Sequence, residues 1–210
     1  MITILNYGLG NISAFLNVYR RLNIEVSTAE TSGELRHASK IILPGVGAFD
    51  HAMELLNGSG MREALDEIVL SDHVPILGVC VGMQVLARSS DEGKLPGLGW
   101  IDANVRGFKL CEQTRDAALP HMGWNDVRPK AGSRLFDELN ADARFYFLHS
   151  YFIECDRDEN VIATCDYGMP FGCAVQSGNV YGVQFHPEKS HKFGERLLKN
   201  FADLPGIERS

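Results

Sequence analysis

Three short runs in the first eighty residues, Ile2-Thr3-Ile4-Leu5, Lys40-Ile41-Ile42-Leu43 and Pro75-Ile76-Leu77-Gly78-Val79, are almost continuously apolar instead of alternating. A strand of that kind is buried on both faces, the condition of a parallel sheet covered by helices; a sheet with one wet face alternates apolar and polar residues. The intervening segments supply the covering layer. After Gly10-Asn11, the residues Ile12, Phe15, Leu16 and Tyr19 recur on one helical face, and Met61, Leu65, Ile68 and Val69 do the same before the third run. Ile24-Glu25-Val26-Ser27 adds another strand. The pattern predicts an α/β chain with a doubly wound, mostly parallel central sheet flanked by helices.

From Gly97 onward strand-like pieces dominate: Trp100 to Val105, Gly123 to Val127, Phe145 to Phe152, Val161 to Cys165, Cys173 to Gln176 and Val180 to Phe185. Gln176-Ser177-Gly178-Asn179-Val180 has the residues of a hairpin turn between the last two, so an antiparallel extension of the sheet is expected. Ser190 stands where it could cap a final helix with Phe193, Leu197, Leu198 and Phe201 turned to the core. Lys109 to Leu119 reads as a surface excursion. With no repeat, low-complexity tract or linker, residues 1–210 are expected to form one domain.

Composition excludes several classes. Of 210 residues 45% are hydrophobic and 22% charged, an ordinary globular balance. Twenty basic against 27 acidic side chains leave a net charge of −7 without a basic cluster, a poor match to nucleic acid. The start, Met1-Ile2-Thr3-Ile4-Leu5-Asn6-Tyr7, has no positive leader or cleavage site, and no apolar run reaches membrane-spanning length. Five cysteines, an odd number without a Cys-x-x-Cys pair, argue against a disulfide framework or a zinc ribbon. A reducing cytoplasm is the expected compartment.

The third run leads into Gly78-Val79-Cys80-Val81-Gly82-Met83-Gln84. A buried strand entering a helix through a tight turn between small residues puts Cys80 at the apex, a thiol counterpart of the nucleophile elbow. The N–H groups and positive end of the following helix favour the thiolate. A buried structural cysteine between two packing glycines is the competing reading.

A thiol of this kind needs a base, and His186, closing the strand Tyr181-Gly182-Val183-Gln184-Phe185, falls at the sheet edge where parallel α/β folds place their sites. Glu188 is two residues on. If Pro187 keeps the backbone extended, both side chains point the same way, and the carboxylate can take the second imidazole N–H. A metal site of His186, Glu188 and His191, or an ordinary surface loop, would also fit these residues. Upstream, Pro44-Gly45-Val46-Gly47-Ala48-Phe49 follows a strand with glycines that let backbone N–H groups approach a ligand, as an oxyanion hole requires; the Val81 N–H is the natural second donor. Gly8-Leu9-Gly10 lacks the third glycine of a dinucleotide site.

Taken together, Pro44-Gly45-Val46-Gly47, Gly78 to Gln84 and Phe185-His186-Pro187-Glu188 resemble the triad-type, class I glutamine amidotransferases, whose sheet is flavodoxin-like. The stretches Pro120-His121-Met122-Gly123-Trp124-Asn125, Tyr146-Phe147-Leu148-His149-Ser150-Tyr151 and Gly182 to Ser190 are similar to the glutaminase subunits of imidazole glycerol phosphate synthases, and the likeness spans nearly the whole chain. It implies Cys80 as nucleophile toward L-glutamine, His186 as base and then acid, and Glu188 as its orienter. Gly45, Val46 and Val81 would serve the oxyanion, and Gly47, Gln84, Ser150 and Tyr151 the substrate. The resemblance also implies that Asn11, His121, Trp124 and Lys189 fall in the region facing a partner, although Trp124 and Tyr151 could simply be core aromatics.

The partner implied is a (β/α)8-barrel cyclase subunit that consumes the ammonia in histidine biosynthesis. No cofactor and no metal is implied. Two other functions keep the same motifs: a paralogous glutaminase feeding a sugar-amidating synthase of surface polysaccharide, and a catalytically silent regulatory subunit. The isolated chain is expected to hydrolyse glutamine only weakly, because hydrolysis without an acceptor wastes it.

Overall fold

A computed structural model describes residues 1–139 and 142–206; the last four residues of the expected domain lie outside the described residues. The strands are β1 (Ile2–Leu5), β2 (Val26–Ala29), β3 (Ile41–Gly45), β4 (Ile76–Cys80), β5 (Ser89–Ser90), β6 (Ala103–Gly107), β7 (His121–Asp126), β8 (Arg128–Pro129), β9 (Arg144–His149), β10 (Tyr151–Cys155), β11 (Val161–Asp166), β12 (Pro170–Ser177) and β13 (Val180–Val183). The helices are α1 (Ile12–Arg21), α2 (Ser32–Leu35), α3 (Phe49–Gly58), α4 (Arg62–Asp66), α5 (Val81–Gln84) and α6 (His191–Asp203).

The main sheet runs β2-β1-β3-β4-β13-β12-β10-β6-β5, with β11 and β8 branching from β12. Its first five strands are parallel, and β13 joins β12 through an antiparallel hairpin turning at Gly178-Asn179. Every residue of β1, β3 and β4 is buried, as continuous apolar runs require. This is the mostly parallel sheet with an antiparallel extension that the strand pattern predicts.

Element edges differ where local bonding competes with propensity. The second strand starts at Val26 and not Ile24, because the Ile24 N–H closes the end of α1 on the Tyr19 carbonyl (3.0 Å). Met61, Leu65, Ile68 and Val69 are all buried, but α4 passes into a π-helical turn at Glu67–Ser71. The expected strand Phe145 to Phe152 is two strands broken at Ser150: β9 pairs with β7 in a separate ribbon, while β10 pairs with β6 and β12 in the main sheet. Helix α3, not among the elements expected from the strand pattern, buries Phe49, Ala52, Met53 and Leu56 at helical spacing.

Two further expectations change. Ser190 occupies the residue before α6 but does not cap it: its hydroxyl donates to the His186 carbonyl (2.6 Å) and accepts the Tyr146 N–H (3.0 Å). With the His186 N–H on the Tyr146 carbonyl (2.8 Å), these bonds stitch the His186–Ser190 loop to β9. The segment from 109 to 119 is not wholly superficial. Leu110 is exposed, but Thr114 is buried and donates to the Phe108 carbonyl.

Candidate active site

Cys80 ends β4 with φ +56° and ψ −115°, a backbone conformation non-glycine residues seldom hold. Such strain costs on the order of 1–3 kcal/mol and persists where the surroundings enforce it. The surroundings here are three closely packed backbones. A Cβ on Gly82 would lie 2.0 Å from the Leu43 carbonyl oxygen, and one on Gly78 would lie 2.4 Å from the Gly82 oxygen. No side chain fits between β3, β4 and the turn, so the elbow closes tightly and lifts the Cys80 side chain to the end of the parallel sheet. Helix α5 is a single turn, shorter than the elbow motif suggests, so little helix dipole stands behind Cys80.

Strand β13 lies beside β4 in register, Val183 opposite Val79, which delivers His186 to the same sheet end as Cys80. His186 Nδ1 lies 2.9 Å from Glu188 Oε1, with side chains only 4% and 2% exposed. The pair forms differently from the extended-backbone expectation: Pro187–Lys189 is a 3-10 turn, and that turn folds the carboxylate back under the ring. With Nδ1 on Glu188, Nε2 is left for the Cys80 sulfur. Burial pulls the His186 pKa down, but hydrogen bonds and charge from Cys80 and Glu188 outweigh it and raise it to about 9. Glu188 Oε2 has no partner among the described residues, so the buried carboxylate is answered by the imidazolium alone.

Cys80 and His186 open into a cavity of about 330 Å³ that Val46, Gly47, Val81, Gln84, Ser150 and Tyr151 also line. Gly45 lies just behind, paired with Cys80 across β3 and β4. Tyr7, unnoticed in the sequence, holds this loop from below: its buried hydroxyl donates to the Pro44 carbonyl (2.7 Å). Glu92 is another lining residue that the sequence reading missed. Its Oε2 accepts the Phe49 N–H (2.8 Å) at the start of α3, whose preceding residue Ala48 supplies no side-chain cap. The signal, an acid placed for an uncapped helix start, is visible only once α3 is recognised.

Of the four residues assigned to a partner-facing region, three are exposed. Asn11 caps α1 by accepting the Ala14 N–H (3.2 Å), Trp124 is 41% exposed, and Lys189 lies over the Tyr146 ring. His121 is not: it is 3% exposed, stacked between Phe147 and Tyr167. His191, the third member of the alternative metal set, stacks on Trp124, with ring planes 7° apart.

His121 belongs to an internal chain. The Tyr151 carbonyl can only accept, so His149 Nδ1 is the donor to it (2.7 Å), and His149 Nε2 must accept from His121 Nδ1 (2.9 Å). Asn125 Nδ2 completes the series on His121 Nε2 (3.2 Å). Both rings are neutral. Burial pushes His149 down to about 3 and His121 down to about 4. Unfolded histidines bind protons below about 6.5, and these do not when folded. The stability is therefore present above that pH and lost as pH falls toward 4 and then 3. The thermal midpoint should fall steeply on the acid side, and His149→Asn, which keeps a donor toward Tyr151 without titrating, should flatten that slope. An unchanged slope in the variant would contradict the assignment.

The cysteine elbow and the buried His–Glu pair meet at one end of the parallel sheet, so a thiol and an imidazole share one cavity wall, with the carboxylate hydrogen-bonded to the imidazole. The family model "Glutamine amidotransferase class-I" matches residues 3–204, and the chain belongs to that family. Within it, the chain is 61% identical over 204 residues to the imidazole glycerol phosphate synthase subunit HisH of Bdellovibrio bacteriovorus, covering 97% of this chain and 100% of the relative. It is 50% identical to the HisH subunit of Leptospira interrogans with the same coverage. A crystal structure of a glutamine amidotransferase shares the fold, with a TM-score of 0.74 at 19% identity over 95% of this chain and 96% of that one. No helix among the described residues is long and apolar enough to cross a membrane.

Proposed function

We propose that the chain is the glutaminase subunit of an imidazole glycerol phosphate synthase in histidine biosynthesis, hydrolysing L-glutamine to glutamate and ammonia. The observation that carries the reading is the buried His186–Glu188 pair set against Cys80 at a strained elbow, inside a cavity large enough for an amino acid. The Cys80 thiolate attacks the carboxamide carbon, and the oxyanion forms against backbone N–H groups of Val81 and the Gly45-Val46 segment. His186 protonates the departing nitrogen, ammonia leaves, and a glutamyl thioester remains. His186 then removes a proton from water, which attacks the thioester, and glutamate departs as the thiol re-forms. Gly47, Gln84, Ser150 and Tyr151 line the cavity for the substrate, and the Glu92 carboxylate there suits its ammonium group. The reaction needs neither cofactor nor metal.

The partner in this reading is a cyclase subunit with a (β/α)8 barrel, the pair working in the cytoplasm and the glutaminase forming one domain. Strand register supports a docking face: Met122 pairs with Leu148 and Trp124 with Tyr146, so exposed Met122, Trp124 and Leu148 share one side of the β7–β9 ribbon. Leu148 and exposed Val46 also border the cavity, which places an apolar rim around its mouth. Similarity to HisH subunits does not favour the sugar-amidating paralogue. The experiment is to purify the chain with whatever it binds and treat the complex with a glutamine-analogue electrophile. A barrel cyclase in the complex and label on Cys80 are expected; an unlabelled Cys80 in that complex would refute the hydrolytic role.

A further inference from the structure

We propose that Gln184 is a catalytic residue of this site: its side-chain N–H donates to the Cys80 sulfur and stabilises the thiolate. The inference rests on Cys80 as nucleophile. Gln184 is completely buried one residue beyond β13, with Nε2 3.9 Å from Cys80 Sγ. A buried amide can present either end to a neighbour, and the end that faces sulfur decides between stabilising and opposing an anion.

The surrounding bonds decide it. The Tyr151 carbonyl accepts from His149 and from Gln84 Nε2 (3.3 Å), so the amino end of Gln84 is turned inward. That same Nε2 donates to Gln184 Oε1 (3.0 Å). The oxygen of Gln184 is thereby taken, and its amino group is what remains for sulfur. Reversing Gln184 would set N–H against N–H at Gln84 and oxygen against the thiolate. Besides His186, Cys80 Sγ also meets the Leu148 carbonyl (3.9 Å), which accepts S–H in the thiol form and opposes the anion. Gln184 supplies the matching donor. The arrangement also leaves Gln84 Oε1 without a partner among the described residues, an acceptor free to meet substrate N–H groups.

The test is the pH dependence of Cys80 alkylation by iodoacetamide in the full chain, followed by peptide mapping so that half-buried Cys111 and Cys155 serve as internal references. Gln184→Met removes the donor at nearly constant volume and should raise the alkylation midpoint by about one pH unit, the scale of a hydrogen bond to a charged group. Gln184→Glu is isosteric and puts oxygen beside sulfur, so its midpoint should rise further, while Cys111 keeps its own profile in all three proteins. General loosening of the core would not produce that order. A wild-type midpoint in either folded variant overturns the role of Gln184. Failure of Cys80 to react in the unaltered chain removes the nucleophile itself, a separate result that overturns both readings.

Discussion

Cys80→Ala should lower glutamine hydrolysis by about 10³-fold or more, the loss typical of removing the nucleophile from a triad, while ammonia-driven synthesis by the assembled complex continues. The asymmetry follows from the geometry. Cys80 ends β4 and faces the cavity with His186, and in the proposed reaction its sulfur serves the amide-cleaving step alone. The side chain is small and already buried, so alanine leaves little void and the elbow conformation remains the demanding element. Steady-state rates with glutamine and with ammonium salts, measured on one preparation, separate the two steps. Equal loss of both activities would contradict a role limited to ammonia supply.

Glu188→Gln should reduce kcat by about 10²- to 10⁴-fold, as when a triad carboxylate becomes an amide. The wild-type carboxylate accepts from His186 Nδ1, leaving Nε2 for the cysteine. Glutamine can instead donate to Nδ1, which selects the tautomer with a proton on Nε2, the wrong one to accept from a thiol. The pH profile carries a second signature. His186 titrates near 9 because Cys80 and Glu188 overcome the effect of burial, so the alkaline limb of turnover should lie near that value. Without the carboxylate charge the limb should move to lower pH. Stability follows the same sign: the contribution of this histidine is complete below its unfolded value near 6.5 and is lost as pH rises through about 9. An alkaline limb that stays in place in Glu188→Gln would argue that Glu188 positions the ring without stabilising its charge.

Much of the site was legible because its parts are local. The small residues around Cys80 announce a sharp turn, and His186-Pro187-Glu188 places a carboxylate within reach of an imidazole by covalent proximity. The route of that reach is not legible in the motif, since a 3-10 turn and not an extended strand closes it. Ser190 shows the limit of motif reading. A serine before a helix has a strong capping preference, yet the Tyr146 N–H and the His186 carbonyl compete for its hydroxyl and win. His121 shows another limit: its neighbours Met122 and Trp124 point outward, but alternation along β7 turns the histidine inward onto His149. Tyr7, Glu92 and Gln184 were invisible as site residues because each acts through a group distant in sequence.

The sequence by itself determined the fold class and the reagents, because continuous apolar runs demand burial on both faces and because a thiol, an imidazole and a carboxylate carry their chemistry wherever they lie. Only the tertiary structure decided how those reagents are tuned. The raised basicity of His186 depends on Cys80 and Glu188 winning against burial, the neutrality of His121 and His149 on burial itself, and the end of the Gln184 amide that meets Cys80 on long-range hydrogen bonds. Such bonds join residues tens of positions apart, and their direction is set by carbonyls such as that of Tyr151, which every residue type possesses and which no sequence pattern reveals.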